Sequence, residues 1–100
     1  MNGRQLRIRE IVWKNSCVEK LATKHGVTTN QAEEALLRHP VVRRLSKGHV
    51  VGEDVYAAMA QIAGGRYLIV FFIGKKNGMA LPISARDMDD AERKYYGKHK

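Results

Sequence analysis

The sequence predicts a single α+β domain in which two helices precede an antiparallel sheet meander and one helix closes the chain. Three observations carry that prediction. Two helix-start signatures, Ser16 with Glu19 and Thr28 with Gln31, fall before Pro40. Beyond Pro40 the apolar spacing changes from helical to extended runs separated by glycine turns. The last extended run gives way at Asp89 to an acid-rich helix start.

Leu6 to Trp13 sets Ile8, Ile11, Val12 and Trp13 among charges and reads as a first strand, its alternation slipping at Glu10 as at an edge or bulge. In the first helix, Ser16 and Glu19 form the S-x-x-E box, Cys17, Val18, Leu21 and Ala22 recur at helical spacing, and Gly26 sits at the end. In the second, Thr28 and Gln31 repeat the capping logic, Ala32, Ala35 and Leu36 form the stripe, and Pro40 forces His39 out of helical geometry. The extended runs are Val41 to Leu45, Val55 to Ile62, Tyr67 to Ile73 and Met79 to Ala85, separated at Gly48, Gly64-Gly65 and Asn77-Gly78. Tyr67 to Ile73 lacks alternation and is expected at the sheet centre, covered on both faces. Asp89 is the expected N-cap of the last helix, with Glu92 at its third position and Asp90 four residues before Lys94.

A chain of 100 residues with 44% hydrophobic content builds one core, here residues 1–100, with residues 1–8 as a basic N-terminal extension. The net charge of +8 favours an anionic partner and does not choose among RNA, DNA, an acidic protein segment or a membrane surface. The single Cys17 allows no internal disulfide, no apolar leader follows Met1, and the Tyr67 to Ile73 run is too short to span a bilayer. These features lead to the expectation of a reduced, cytoplasmic protein.

Arg86 and Arg93 bracket the last helix start, and paired guanidinium groups there would stabilise charge developing in phosphodiester cleavage. The architectural alternative pairs Arg93 with Asp89, and Arg86 with Asp87 or Glu92. Asp87, Asp89 and Asp90 satisfy the helix dipole, and no metal or other cofactor is expected. Glu92 would serve as a general base only if an apolar pocket raised its pKa; its capping position explains it otherwise. Of Tyr95 and Tyr96, which face about 100 degrees apart on a helix, one can join Arg93 and the other be buried. Lys24 and His25 sit where a helix ends, placed equally for carbonyl bonding or for chemistry. His25, His39 and His49 share no zinc spacing with Cys17, and no serine–histidine pair is recognisable. Arg38 to Val50 is the most one-sidedly basic segment, but Arg43 and Arg44 face opposite ways in a strand. Gly64-Gly65 and the GKKNG stretch from Gly74 lack phosphate-loop spacing and read as hairpin turns.

Taken together, IVW at Ile11, KHGVT at Lys24, AEEAL at Ala32, GRYLIVFF at Gly65 and ISARDMDDAERKYY at Ile83 resemble the BrnT family of bacterial toxins over Arg9 to Gly97. The resemblance implies a RelE-like ribonuclease fold, toxicity through RNA cleavage that arrests translation, and neutralisation by a BrnA-type antitoxin carrying a DNA-binding part. DNA would then be a partner only through the antitoxin, and a two-plus-two complex is one assembly this allows. Arg86 and Arg93 fall on the family's Ser-Ala-Arg and Glu-Arg motifs. Lys14 stands where the family often has an acid after its tryptophan, so no acidic role carries over there.

The expected chemistry is metal-independent attack of the RNA 2'-hydroxyl on the adjacent phosphorus. In it Arg86 and Arg93 stabilise the charge, Lys24, Arg43, Arg44 and Arg66 hold phosphates, and Tyr95 or Tyr96 positions a base. His25 and Glu92 are the candidates for proton transfer. The competing expectations are a non-catalytic basic module that acts with an antitoxin in transcriptional autoregulation, and a general RNA-binding module.

Overall fold

The computed structural model describes residues 8–20, 25–46, 53–75 and 78–100. Their elements are β1 (Glu10–Ile11), α1 (Asn15–Lys20), α2 (Thr29–Leu37), β2 (Val41–Ser46), β3 (Asp54–Gln61), β4 (Tyr67–Gly74), β5 (Met79–Asp87) and α3 (Asp90–His99). The fold is α+β, built on a five-stranded sheet of order β1-β5-β4-β3-β2.

Strands β2 to β5 form the predicted antiparallel meander, with β4 at the centre. The sheet as a whole is mixed, because β1 lies parallel to β5 with Glu10 opposite Met79 and Ile11 opposite Ala80. This follows from the route of the chain. It leaves β1, crosses one face as helices and re-enters at the far edge as β2, and the three reversals from β2 to β5 then bring β5 beside β1 in the same direction. The first strand is also much shorter than the Leu6 to Trp13 run, since only Glu10–Ile11 pair, flanked by bonds from Arg9 N to Gly78 O and from Val12 N to Ala80 O.

Helix α1 covers six residues, and its predicted continuation through 21–24 lies outside the described residues, as do the basic N-terminal residues 1–7 and the turns predicted at Gly48 and Asn77. Helix α2 begins as expected, with reciprocal bonds from Gln31 N to Thr28 Oγ1 and from Thr28 N to Gln31 Oε1. It buries Ala32, Ala35 and Leu36 and stops before Pro40, with His39 at φ 45 in the left-handed region.

The pleat sends alternate side chains to two unequal faces. Leu68, Val70 and Phe72 of β4 join Ala58, Ala60, Ala85 and α2 in a closed core that also takes Val27, Ile11 and Trp13. On the opposite face Ala57, Met59, Ile69 and Met88 are buried, with Tyr95 and Tyr96 of α3 packed against them. Tyr67 and Phe71 on that face are only half-buried. Among the described residues, α3 is the element packed on this face.

On the closed face, the Tyr56 ring stacks on Phe72 with centroids 5.4 Å apart. It also lies over Gly74, where an added Cβ would come within 2.6 Å of a Tyr56 ring carbon. Gly74→Ala should therefore force Tyr56 off Phe72 and cost about 1–3 kcal/mol in urea unfolding. Gly97→Ala, in α3 with nothing within 4 Å of the new Cβ, should be neutral or slightly stabilising. Equal responses at both positions would show that the Tyr56 stack does not constrain the core.

Candidate functional site

The junction of β5 and α3 builds the site. Ile69 pairs with Arg86 across the sheet and the adjacent Ala85 is buried in the closed core, so the pleat sends Arg86 to the open face. Met88 and Asp89 then turn the chain, and Asp89 caps α3. Glu92 N donates to Asp89 Oδ1 at 2.8 Å, and Asp89 N donates to Glu92 Oε1 at 2.9 Å.

The same Glu92 carboxylate receives Arg86 as a two-pronged fork, NH1 to Oε1 and NH2 to Oε2, both at 2.8 Å. Arg86 NH1 also donates to Asp87 O at 3.1 Å, and its guanidinium carbon lies 5.3 Å from the Phe71 ring centroid. These bonds use three of the five guanidinium N–H donors. Among the described residues, no acceptor takes the other two.

A groove of about 320 Å³ runs along the flank of α3. Ala57, Met59, Ile69 and Phe71 make its floor, while Asp89, Glu92 and Tyr95 make its helical wall. Arg43 closes the β2 side, with its guanidinium carbon 5.0 Å from the Tyr95 ring centroid. Arg86 does not itself line the groove; it lies at the border, bonded to Glu92 and over Phe71, which do, and an arginine on an aromatic ring stands further along.

The other expected residues lie elsewhere. Arg93 sits 4.2 Å from the centroid of Tyr67, on the strand position two residues before Ile69, and does not line the groove. It stays on the open face and does not make the expected pair with Asp89. Tyr96 accepts from Gln61 N at 3.3 Å through its hydroxyl and meets Tyr67 edge-on, which is an anchoring role. Arg44 points to the other side of the sheet and pairs with Asp54 at 3.4 Å, confirming its opposition to Arg43. Lys24 lies outside the described residues.

Arg66 is committed to the fold. Its Nε donates to Asp87 Oδ1 at 2.6 Å, and NH2 reaches Asp87 Oδ2 and the His25 carbonyl. NH1 reaches the Gly26 carbonyl and Gln31 Oε1. All five donors are used, so a phosphate could bind Arg66 only by breaking this set. His25 enters the cluster through its backbone, and no contact brings its ring to the Arg86–Glu92 fork.

The Arg86 hydrogen bonds hold the Glu92 carboxyl below its ordinary value. The raised pKa expected of a general base is thus reversed, because the neighbouring cation stabilises the charged form. Glu92 orients Arg86. Asp87 is likewise lowered by Arg66, and Glu34 by the Ala63 amide and Arg38. Among the described residues, no group of three histidine, cysteine or acidic side chains is arranged to hold a metal, and no helix is long and apolar enough to cross a membrane.

Sequence reasoning overlooked Phe71 and His99. The latter stacks on Tyr95 with centroids 3.9 Å apart, and the spacing of four between them was the available signal. Compared with known proteins, the chain matches no family model and no curated protein.

The depressed carboxyl groups set the acid response. A folded pKa below the unfolded one adds stability that is complete above the unfolded pKa and is lost as pH falls through the folded value. The urea midpoint should therefore drop below about pH 5, and Glu92→Gln should start lower at neutral pH and fall less steeply. A Glu92→Gln profile parallel to that of the parent would deny the fork this role. Arg66→Lys should cost about 1–3 kcal/mol of stability, because one ammonium cannot serve five acceptor contacts. An unchanged urea midpoint would show the cluster to be dispensable.

Proposed function

We propose that the chain is a metal-independent endoribonuclease of the toxin type, RelE-like in fold and kin to the BrnT toxins that its motifs resemble. One observation carries this reading. Arg86 is held by Glu92 with two donors unengaged, beside an open groove whose other end presents Arg43 on Tyr95. Cations with spare donors beside half-buried aromatic rings suit the phosphates and bases of a single strand. The antiparallel meander between preceding helices and a closing helix supports the RelE-like expectation.

In the proposed reaction the 2'-hydroxyl attacks its own phosphorus, and the O2'–P bond forms as the P–O5' bond breaks. The proton released from O2' passes to solvent, O5' takes one from solvent, and the products carry a cyclic phosphate and a 5'-hydroxyl. Arg86 stabilises the charge on the non-bridging oxygens, with Glu92 fixing its direction. Arg43 holds an adjacent phosphate, and Arg93 extends the cationic face. The chain would act in the bacterial cytoplasm and arrest translation. An acidic segment of a BrnA-type antitoxin would cover the groove.

One observation favours a second reading, RNA capture without cleavage: among the described residues no poised base stands at the groove, since the Arg86 bonds make Glu92 a weaker base and no contact brings the His25 ring to the fork. Expression of the chain alone, with the neighbouring antitoxin, and as Arg86→Lys decides between the two. The nuclease reading expects growth arrest and new 5'-hydroxyl RNA ends, both suppressed by the antitoxin, and about a hundredfold fewer ends for Arg86→Lys. Arrest without such ends, or full activity of folded Arg86→Lys, would overturn it. Capture alone expects salt-sensitive binding that Arg86→Lys largely retains.

A further inference from the structure

We propose that Arg43, Tyr95 and His99 form a stacking platform for one nucleobase of single-stranded RNA, with the base resting on the outer face of the His99 ring. This rests on the reading that the groove takes RNA. It adds a base-binding position that the phosphate contacts do not supply.

The three groups stand in a column drawn from two elements. Tyr95 is half-buried against the sheet and lines the groove. His99 stacks on it at 3.9 Å with 20° between the planes, which leaves the other ring face to the Arg43 guanidinium at 5.0 Å. Arg43 in turn pairs across the sheet with Ala57 of the groove floor.

The His99 ring is held in place. Its Nδ1 lies 2.8 Å from the Tyr95 carbonyl, an acceptor only, so Nδ1 carries the proton and donates. This bond and the stack fix the ring plane, with one face on Tyr95 and the other toward solvent, where His99 is exposed. A planar group ordered before binding costs little conformational entropy when a second ring is laid on it. The cation behind Tyr95 and the cationic surroundings favour a base attached to a phosphate chain over an isolated apolar ring.

The spacing suits a strand. Glu92, Tyr95 and His99 lie three and seven residues apart on one helix face, which puts His99 about 10 Å along the axis from the residue that holds Arg86. A strand with a phosphate at Arg86 covers that distance within a few nucleotides, at about 3.4 Å or more per step. Because every base has a ring face, the platform would bind without strict sequence choice and favour the larger purines.

The test uses the full chain and a short single-stranded oligonucleotide bearing 2'-O-methyl groups, which cannot undergo attack by its own 2'-oxygen. Its affinity is compared with that of the same backbone stripped of bases, for the parent, His99→Ala and His99→Phe. The parent should prefer the base-bearing strand by about tenfold or more. His99→Ala should erase most of that preference while leaving the abasic affinity in place, and His99→Phe should keep it. Equal weakening of both strands by His99→Ala, or no change in the preference, would overturn the platform. So would loss of the preference in folded His99→Phe, which would point to the ring nitrogens in place of the ring face. If the parent binds neither strand, the reading of the groove as an RNA site fails and the platform with it. If it selects bases yet never cuts unmodified RNA, the platform stands and only the nuclease reading fails.

Discussion

The Arg66 guanidinium is the contact on which the placement of the other parts depends. It extends from the turn between β3 and β4 and donates to the carbonyls of His25 and Gly26, to Gln31 in the cap of α2, and to Asp87 at the end of β5. Three segments distant in sequence are thereby set against one plane. A planar fork with five fixed donors can do this, whereas a single ammonium would have to choose among the acceptors. The Asp87 carboxylate that Arg66 holds belongs to the residue whose carbonyl accepts from Arg86. The aim of the candidate functional arginine is therefore coupled, through one residue, to the start of α2.

The two capping boxes share a local chemistry and differ in consequence. At Thr28 the reciprocal bonds start a helix whose stripe is buried, and the spare capacity of Gln31 goes to Arg66. At Asp89 the helix that begins has no buried residue at all, and its third-position acid takes a second arginine. Helix α3 is therefore held less by its own burial than by its cap, the Arg86 fork, and the packing of Tyr95 and Tyr96 on Met59 and Ile69. A helix fixed at one end and resting on tyrosines leaves a groove beside it.

Much of the fold was legible because it follows from local signals. The caps at Thr28 and Asp89, the break at Pro40, the central place of the unalternating Tyr67 run and the opposite faces of Arg43 and Arg44 all come from neighbours in sequence, whereas Ser16, expected to cap the first helix, lies inside α1. What escaped was non-local. Nothing within ten residues of Glu10 says that the first strand will lie parallel to the last, because that direction depends on the count of later reversals. Arg66 looked like a free cation for the same reason, its acceptors being twenty-one to forty-one residues away. Several motif residues that carry the family resemblance prove to be architectural. Trp13 Nε1 donates to Glu33 at 2.6 Å and Glu34 accepts from Ala63 N, so that IVW, AEEAL and the turn before Arg66 are ties of one framework. Of the site, the Arg86–Glu92 corner was legible as a contact, its partners being six residues apart, whereas Arg43 and Tyr95 were named singly and their contact across the sheet was not foreseen.

A count of charges does not locate an anion site on a chain with this surplus of base; the company the cations keep is more selective. Arg66 is fully engaged, and Arg38, Arg44 and Lys75 each hold one ion pair away from the aromatic face, with Glu34, Asp54 and Glu53. Arg43 and Arg93 instead lie over tyrosine rings, and Arg86 keeps two donors outside its fork. An aromatic ring orients a guanidinium while leaving its N–H groups in the ring plane's surroundings open to an acceptor. All three belong to the face that α3 only partly covers, where the floor is apolar, half-buried at Phe71, and the walls carry planar groups. An anion that is also aromatic would meet both requirements there, which is the physical basis for proposing a single-stranded nucleic acid as the ligand.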